Sequence, residues 1–234
     1  MGARELRSGG HADQYEFDVR ADAAAVAVLV AGGLGVVSEE SGIHRPERPV
    51  RVAVDPVDGS TNFSRLLDPY GPSFCAFDDE GPLAAVVVNI ASGRCFSATR
   101  ELGARVDGDA LVCRPREELR VVATGDPISR LQPEVWTRIS GASAHDLCRV
   151  ADGTFDGYAD EQNTVSVWDY AGAAFILLAA GGVIAERDGR PLFDREPHSG
   201  YRLLAAASPV LFDELERRVV GDPISTGESG GGRP

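Results

Sequence analysis

Two aspartates, Asp55 and Asp58, stand close together in the segment Asp55-Pro56-Val57-Asp58-Gly59-Ser60-Thr61-Asn62-Phe63, directly after the apolar run Val50–Val54. A turn leaving a buried strand can bring both carboxylates to one point. Hard divalent cations such as Mg²⁺ take oxygen ligands of this kind, and the Val57 carbonyl between them offers another. Gly59-Ser60-Thr61 then presents consecutive backbone N–H groups and two hydroxyls. That set suits a phosphate oxyanion, above all where a helix begins. The same residue types also build plain turns, so Asp-Pro-Val-Asp-Gly alone leaves both readings open.

Two further acidic features bear on the choice. Glu39-Glu40 follows a short apolar step, and adjacent acids at a strand end point to opposite sides, so one of the pair faces the site. Trp168-Asp169 opens an Ala/Gly-rich stretch, where the aspartate serves a helix cap or a metal with the same oxygens. Each feature is ordinary alone. Carboxylates crowded into one site repel one another unless a cation lies between them, so their co-occurrence favours a metal.

The elements that must position these residues follow from pattern. Ala21–Ala31 reads as a helix ended by Gly32-Gly33, and Val36-Val37 as an apolar step before the glutamates. Gly42 to Pro49 reads as a loop, and Val50–Val54 as a strand that stops at Asp55-Pro56. Ser73–Phe77, Leu83–Ile90, Gly93–Thr99 and Gly103–Val106 suggest an antiparallel meander. After a compositional shift at Cys113–Glu118, Leu119–Thr124 is strand-like, Pro133–Ile139 a short helix and Ala142–Val150 a helix closed by Gly153. Asp169–Ala180 reads as a helix capped by Asp169 and ended by Gly181-Gly182. Val183–Ala185, Leu203–Ala207 and Pro209–Val219 complete the chain as strand, strand and helix. This mixture points to layered α+β architecture rather than a simple Rossmann wind.

Composition narrows the partners. The 234 residues carry a net charge of −13, with every one of the 23 basic residues an arginine, which argues against nonspecific nucleic-acid binding. An acidic protein acting on an anion needs a local positive charge, for which metal ions are the obvious source. Cys75, Cys95, Cys113 and Cys148 show no CxxC spacing and read as free thiols in a reducing cytoplasm. The longest apolar run, Ala171–Ala185, is too short to span a bilayer, so no membrane role is expected. His11, His44, His145 and His198 are scattered and read as structural or exposed. We divide the chain into a metal- and phosphate-binding half at 1–115, a C-terminal α/β half at 116–220 and an unstructured tail at 221–234.

Taken in order, Glu39-Glu40, Asp55-x-x-Asp58-Gly59-Ser60 and Trp168-Asp169 resemble the inositol monophosphatase family of Mg²⁺-dependent, lithium-sensitive sugar-phosphate phosphatases. Gly141-Ala142-Ser143-Ala144 and Ala151-Asp152-Gly153 extend the resemblance, which runs from about Asp18 to about Val219. It implies the layered α/β/α/β/α sandwich of the sugar phosphatases, with a shortened N-terminal helical region. It also implies metal ligation by Glu39, Asp55, Asp58, Asp169 and the Val57 carbonyl, holding two or three Mg²⁺ ions, with Li⁺ as an inhibitor. Gly59, Ser60, Thr61 and Ala142 would bind phosphate. Ser60 stands where the family usually has Thr and would orient the attacking water, with Asp18 as its partner and Asp58 sharing the catalytic work. The acid that recognises substrate falls on Glu161 or Asp160, and Glu161 is chosen.

The reaction so implied is hydrolysis of a small polyol or sugar phosphate, such as myo-inositol 1-phosphate, by metal-activated water and without a phospho-enzyme. Alternatives are a phosphatase for a sugar bisphosphate, a nucleotide bisphosphate or a cyclitol phosphate, or a degenerate member that binds without turnover. The Val-Thr-x-x-Asp pattern of the family reads Gln14-Tyr15-Glu16-Phe17-Asp18 here, without its Thr. The short N-terminal region would leave apolar core surface for a partner subunit, hence an expected homodimer.

Overall fold

The computed structural model describes residues 15–114, 116–128, 131, 133–193 and 200–220. His11, His198 and the tail expected to be unstructured lie outside the described residues.

Helix α1 (Glu16–Ala31) begins at Glu16, earlier than the expected Ala21, and ends at Gly32. Glu16 and Asp18 occupy its first turn, where backbone N–H groups lack helical partners and favour negative charge. Strand β1 (Gly35–Ser38) follows, then β2 (Gly42–His44) and β3 (Arg51–Asp58). Gly42–His44 was expected within a loop, but Val36–Ser38 pairs with it and makes it a short, largely exposed edge strand.

Every residue of β3 is buried, and the strand does not stop at Asp55-Pro56 as expected. It runs on to Asp58 through a register shift, so that Asp55 lies opposite Ser73 and Asp58 opposite Gly71. Pro56 cannot donate to a ladder, and a bulge is where a strand tolerates that loss while turning its side chains to a new direction. Helix α2 (Ser60–Arg65) starts immediately after it.

The meander expected next is present as β4 (Gly71–Asp78), β5 (Gly81–Val88), β6 (Cys95–Thr99), β7 (Gly103–Val106) and β8 (Asp109–Ala110). Together these strands form one sheet in the order β2-β1-β3-β4-β5-β6-β7-β8, with β1 and β3 parallel and the other pairs antiparallel.

The second sheet takes β9 (Val121–Thr124), β10 (Trp136–Arg138), β11 (Gly157–Val165), β12 (Val183–Glu186) and β13 (Tyr201–Ala206) in the order β10-β9-β11-β13-β12. The helix expected at Pro133–Ile139 is not formed. Trp136 and Thr137 favour extended backbone, and Trp136–Arg138 pairs in parallel with Val121–Ala123. Strand β11 was not foreseen, because its polar end, Asp160 to Thr164, hides the periodicity of a strand that buries Gly157–Asp160.

Helices α3 (Ser143–Ala151) and α4 (Val167–Ala179) contact strands of both sheets and fill the space between them. Helix α1 covers the far side of β1 and β3, while α5 (Pro209–Val220) packs on β11, β12 and β13. The result is the α/β/α/β/α layering expected from the resemblance. One apolar core joins both sheets through Leu147, Ile176 and Leu177, and a smaller one of Val36, Val52 and Val54 lies beneath α1. Beside α1, an apolar cleft of about 530 Å³ runs over β4 to β6, lined by Val28, Leu29, Phe74 and Val86 among others.

Candidate active site

At the end of β3 a cleft of about 240 Å³ is lined by Tyr15, Asp18, Glu39, Glu40, Asp55, Val57, Asp58, Gly59, Ser60, Thr61, Gly141 and Asp169. Residues from five separate stretches of sequence meet there. The parallel β1 and β3 end side by side, which sets Glu39 next to Asp55, and the bulge in β3 turns Asp55 and Asp58 together.

One oxygen from each of Glu39, Asp55 and Asp169 lies within 4.8 Å of the others. Asp55 is buried, and its Oδ1 accepts the Val57 N–H at 2.9 Å. Asp58 is buried too and is held differently: its Oδ2 accepts the His145 N–H at 3.1 Å, from the first turn of α3. Only one acid of the pair was expected to face the site, but Glu40 lines the same cleft, because the chain leaves β1 into a turn at Glu39 and the strand alternation no longer applies.

Asp169 corrects an expectation about α4. The helix begins at Val167 with Ser166 as N-cap, and Asp169 is the third residue inside it. Its Oδ2 accepts the Ser166 N–H at 2.6 Å, one half of a capping box. A carboxylate has two oxygens and several lone pairs, so closing the cap leaves capacity for a cation.

Ser60 Oγ lies 3.0 Å from Asp18 Oδ1 and 3.0 Å from the Val57 carbonyl oxygen, so the expected Ser60–Asp18 partnership is formed. Asp18 also takes the Tyr15 backbone N–H. Thr61 is exposed in the cleft wall, and the N–H groups that open α2 have no carbonyl within the helix to receive them.

Gly59 is required by its backbone and surroundings: φ is +84°, and a Cβ would come within 2.9 Å of the Pro69 carbonyl and 3.2 Å of Ala142 Cβ. That contact is also the place of Ala142, which is buried at the N-cap of α3 and spaces α3 from Gly59; it does not line the cleft.

Glu161 is not brought to the site. It pairs with Arg187, whereas Asp160 beside it on β11 is buried and contributes to the charge around Asp169. Asp160 does not line the cleft either; its carboxylate accepts the Gln162 N–H and reaches Asp169 only through charge.

Three contributors had no assigned role in the sequence reading. Asn62 Nδ2 donates to the carbonyls of Pro69 at 2.9 Å and Ser140 at 2.8 Å, tying α2 to the approach of α3. Asp22 bonds Ser38 and fixes α1 to the end of β1. The His145 backbone holds Asp58. Asn62 lay in the quoted motif, but nothing in its type distinguishes a brace from a ligand.

Electrostatics identify what the cleft lacks. Burial, with Asp169 and Glu40 nearby, pushes Glu39 up to about 8. Burial raises Asp18 to about 7 against the help of Ser60, and raises Asp169 to about 7. Asp55 lies well above the ordinary range through burial and the charges of Glu39 and Asp58, and Asp58 does so chiefly through burial. Among the described residues, none that lines the cleft is basic. A set of hard oxygens, mutually repelling and without a cationic side chain, fits a divalent cation.

Comparison with known proteins agrees with this geometry. The model of the inositol monophosphatase family matches residues 16–220. A fructose-1,6-bisphosphatase/inositol-1-monophosphatase of Archaeoglobus fulgidus is 33% identical over 201 residues, covering 83% of this chain and 79% of that protein. A Nus factor SuhB of Pasteurella multocida is 27% identical over 201 residues, covering 79% of this chain and 73% of that protein. In fold, a Pyrococcus horikoshii protein described as similar to inositol-1-monophosphatase superposes with a TM-score of 0.84 at 23% identity, covering 92% of this chain and 88% of the other.

Proposed function

The chain belongs to the inositol monophosphatase family, and on that premise we propose that it hydrolyses the monophosphate ester of a small polyol or sugar with the help of Mg²⁺. Members of this family are phosphoric monoester hydrolases. The observation that carries the reading is the convergence of Glu39, Asp55 and Asp169 beside the opening turn of α2.

Glu39, Asp55 and Asp169, with Asp58 and the Val57 carbonyl, are the residues that would hold cations. Bound there, divalent ions supply charge neutralisation for an ester that becomes more negative as its P–O bond breaks. The protein does the positioning. The amides of Gly59, Ser60 and Thr61 face the phosphoryl oxygens. Ser60 orients a water through its hydroxyl, and Asp18 accepts the proton as the water oxygen attacks phosphorus. The P–O bond to the alcohol breaks as the new one forms, and the leaving oxygen takes a proton from solvent water, giving the free alcohol and inorganic phosphate.

The substrate is assigned by charge. A second phosphate would meet more acid, since Asp160 is buried near Asp169 and, among the described residues, none that lines the cleft is basic. This favours a monophosphate such as myo-inositol 1-phosphate over a bisphosphate, although the Archaeoglobus relative is named for both activities. Four unpaired cysteines support a cytoplasmic setting. The apolar cleft beside α1, with Val28 73% exposed at its edge, supports a homodimer.

The test is phosphate release from a panel of mono- and bisphosphates with Mg²⁺, with chelator, and with Mg²⁺ plus Li⁺. Release from the monophosphates that requires Mg²⁺ and falls with Li⁺ supports the reading. Release unaffected by chelator contradicts it.

A further inference from the structure

Among the described residues one aromatic residue lines the cleft, and it comes from the segment where the family pattern is broken. Tyr15 is half-buried and lines the cleft together with Asp18 and Ser60. Its ring is stacked on Phe17, with centroids 5.0 Å apart and planes inclined by 16°. Phe17 meets Phe63 edge-on at 4.5 Å, and Phe63 meets Tyr70 edge-on at 5.2 Å. Tyr70 is buried, so the row of rings is rooted in the core and ends at the cleft. Among the described residues no second ring stacks on Tyr15. Its backbone is fixed as well, since its N–H is bound by Asp18, which in turn holds Ser60.

We infer that Tyr15 is a stacking platform for the leaving group, so that the cleft takes phosphate esters of ring compounds in preference to esters of open-chain alcohols. This rests on the phosphatase reading and deepens it. With the phosphoryl group at the start of α2, the alcohol portion extends along the remaining wall, and an aromatic face in an otherwise polar cleft has little to offer a charged or fully hydroxylated chain. It attracts a flat face, either the C–H face of a cyclic polyol or sugar or the plane of a nucleobase. The rings behind Tyr15 hold it in place before the ligand arrives, which reduces the ordering required on binding.

The experiment compares kcat/KM with Mg²⁺ for myo-inositol 1-phosphate, adenosine monophosphate and β-glycerophosphate, the open-chain reference. Tyr15→Leu lowers the ratio of ring ester to β-glycerophosphate by about tenfold, and Tyr15→Phe keeps it within about twofold. A fall confined to the inositol ester assigns a carbohydrate face, and one confined to adenosine monophosphate assigns a base; both support the platform. If Tyr15→Leu does not fold, Tyr15→Trp, which enlarges the face, raises the ratio. An unchanged ratio, or equal losses on ring and open-chain esters as a purely structural role would give, overturns the inference while leaving the phosphatase reading intact. No release from any ester by the wild-type protein overturns both.

Discussion

Ser60 Oγ and Asp18 Oδ1 meet at 3.0 Å although the two residues are 42 positions apart in sequence. A hydroxyl has one proton and, at equal distance, two acceptors here, Asp18 and the Val57 carbonyl. When it donates to one of them, its lone pairs stay available to a water, which the carboxylate can then deprotonate.

Replacing Asp18 by Asn keeps an acceptor for Ser60 but removes the proton acceptor. We expect kcat to fall by about 100-fold, with KM little changed. Ser60→Ala should lose a similar amount and Ser60→Thr should retain most activity. Steady-state kinetics on a purified panel checks this; an Asp18→Asn enzyme of wild-type kcat would remove Asp18 from the mechanism.

The acidic cluster sets a pH dependence on stability in the metal-free protein. Asp18 and Asp169 stand near 7 and Glu39 near 8, all above their unfolded values, so the folded state binds protons more tightly. Stability from this source is complete below the unfolded carboxylate range and is lost as pH rises through 7 to 8. His145, lowered to about 4 by burial, acts oppositely and only below its ordinary range, so the carboxylates dominate above pH 7. Thermal melts of chelated protein should therefore show Tm falling from about pH 6.5 to pH 8 and levelling above that, and added Mg²⁺ should flatten the fall. Asp55→Asn, which keeps an oxygen for the Val57 N–H, should raise the metal-free Tm at pH 9 while abolishing phosphate release. A flat Tm profile without metal would contradict the repulsion on which this rests.

The phase of β11 separates two neighbouring acids. Glu161 is engaged with Arg187 away from the cleft, so Glu161→Gln should leave kcat/KM within about twofold and stability within about 1 kcal/mol. Asp160→Asn removes a charge near Asp169 and should tighten Mg²⁺ dependence without a loss of substrate affinity. A loss of substrate affinity in Glu161→Gln in the same assay would restore Glu161 as the recognition acid.

How much of this was legible in sequence depends on what each residue does. Asp55, Asp58, Glu39 and Asp169 could be named in advance, because ligating oxygens and phosphate-binding amides demand particular residue types in a particular order. Ser60 and Asp18 were paired in advance only through the family resemblance, since nothing in their types or their separation of 42 positions points to the contact. Geometry was harder. Asp55-Pro56 reads as the end of a strand, yet the buried pairing of β3 with β4 carries the chain through a bulge to Asp58. Asp169 reads as a cap because its acid and the following alanines suit one, but Ser166 takes that position and pulls the helix start back to Val167. Trp136–Arg138 is a strand only because Val121–Ala123 lies alongside it, a pairing between distant residues that local propensity does not contain. Asp160 and Glu161 differ by one step of a two-residue period in a strand whose polar end conceals the period.

The most direct measurement is calorimetric titration of Mg²⁺ into chelator-stripped protein, comparing wild type with the double variant Glu39→Gln/Asp169→Asn. Wild type should bind the ion, and the double variant should remain folded by circular dichroism while binding at least about tenfold more weakly. Equal binding by the two proteins would show that these carboxylates, brought within 4.8 Å of each other and of Asp55, do not form the cation site.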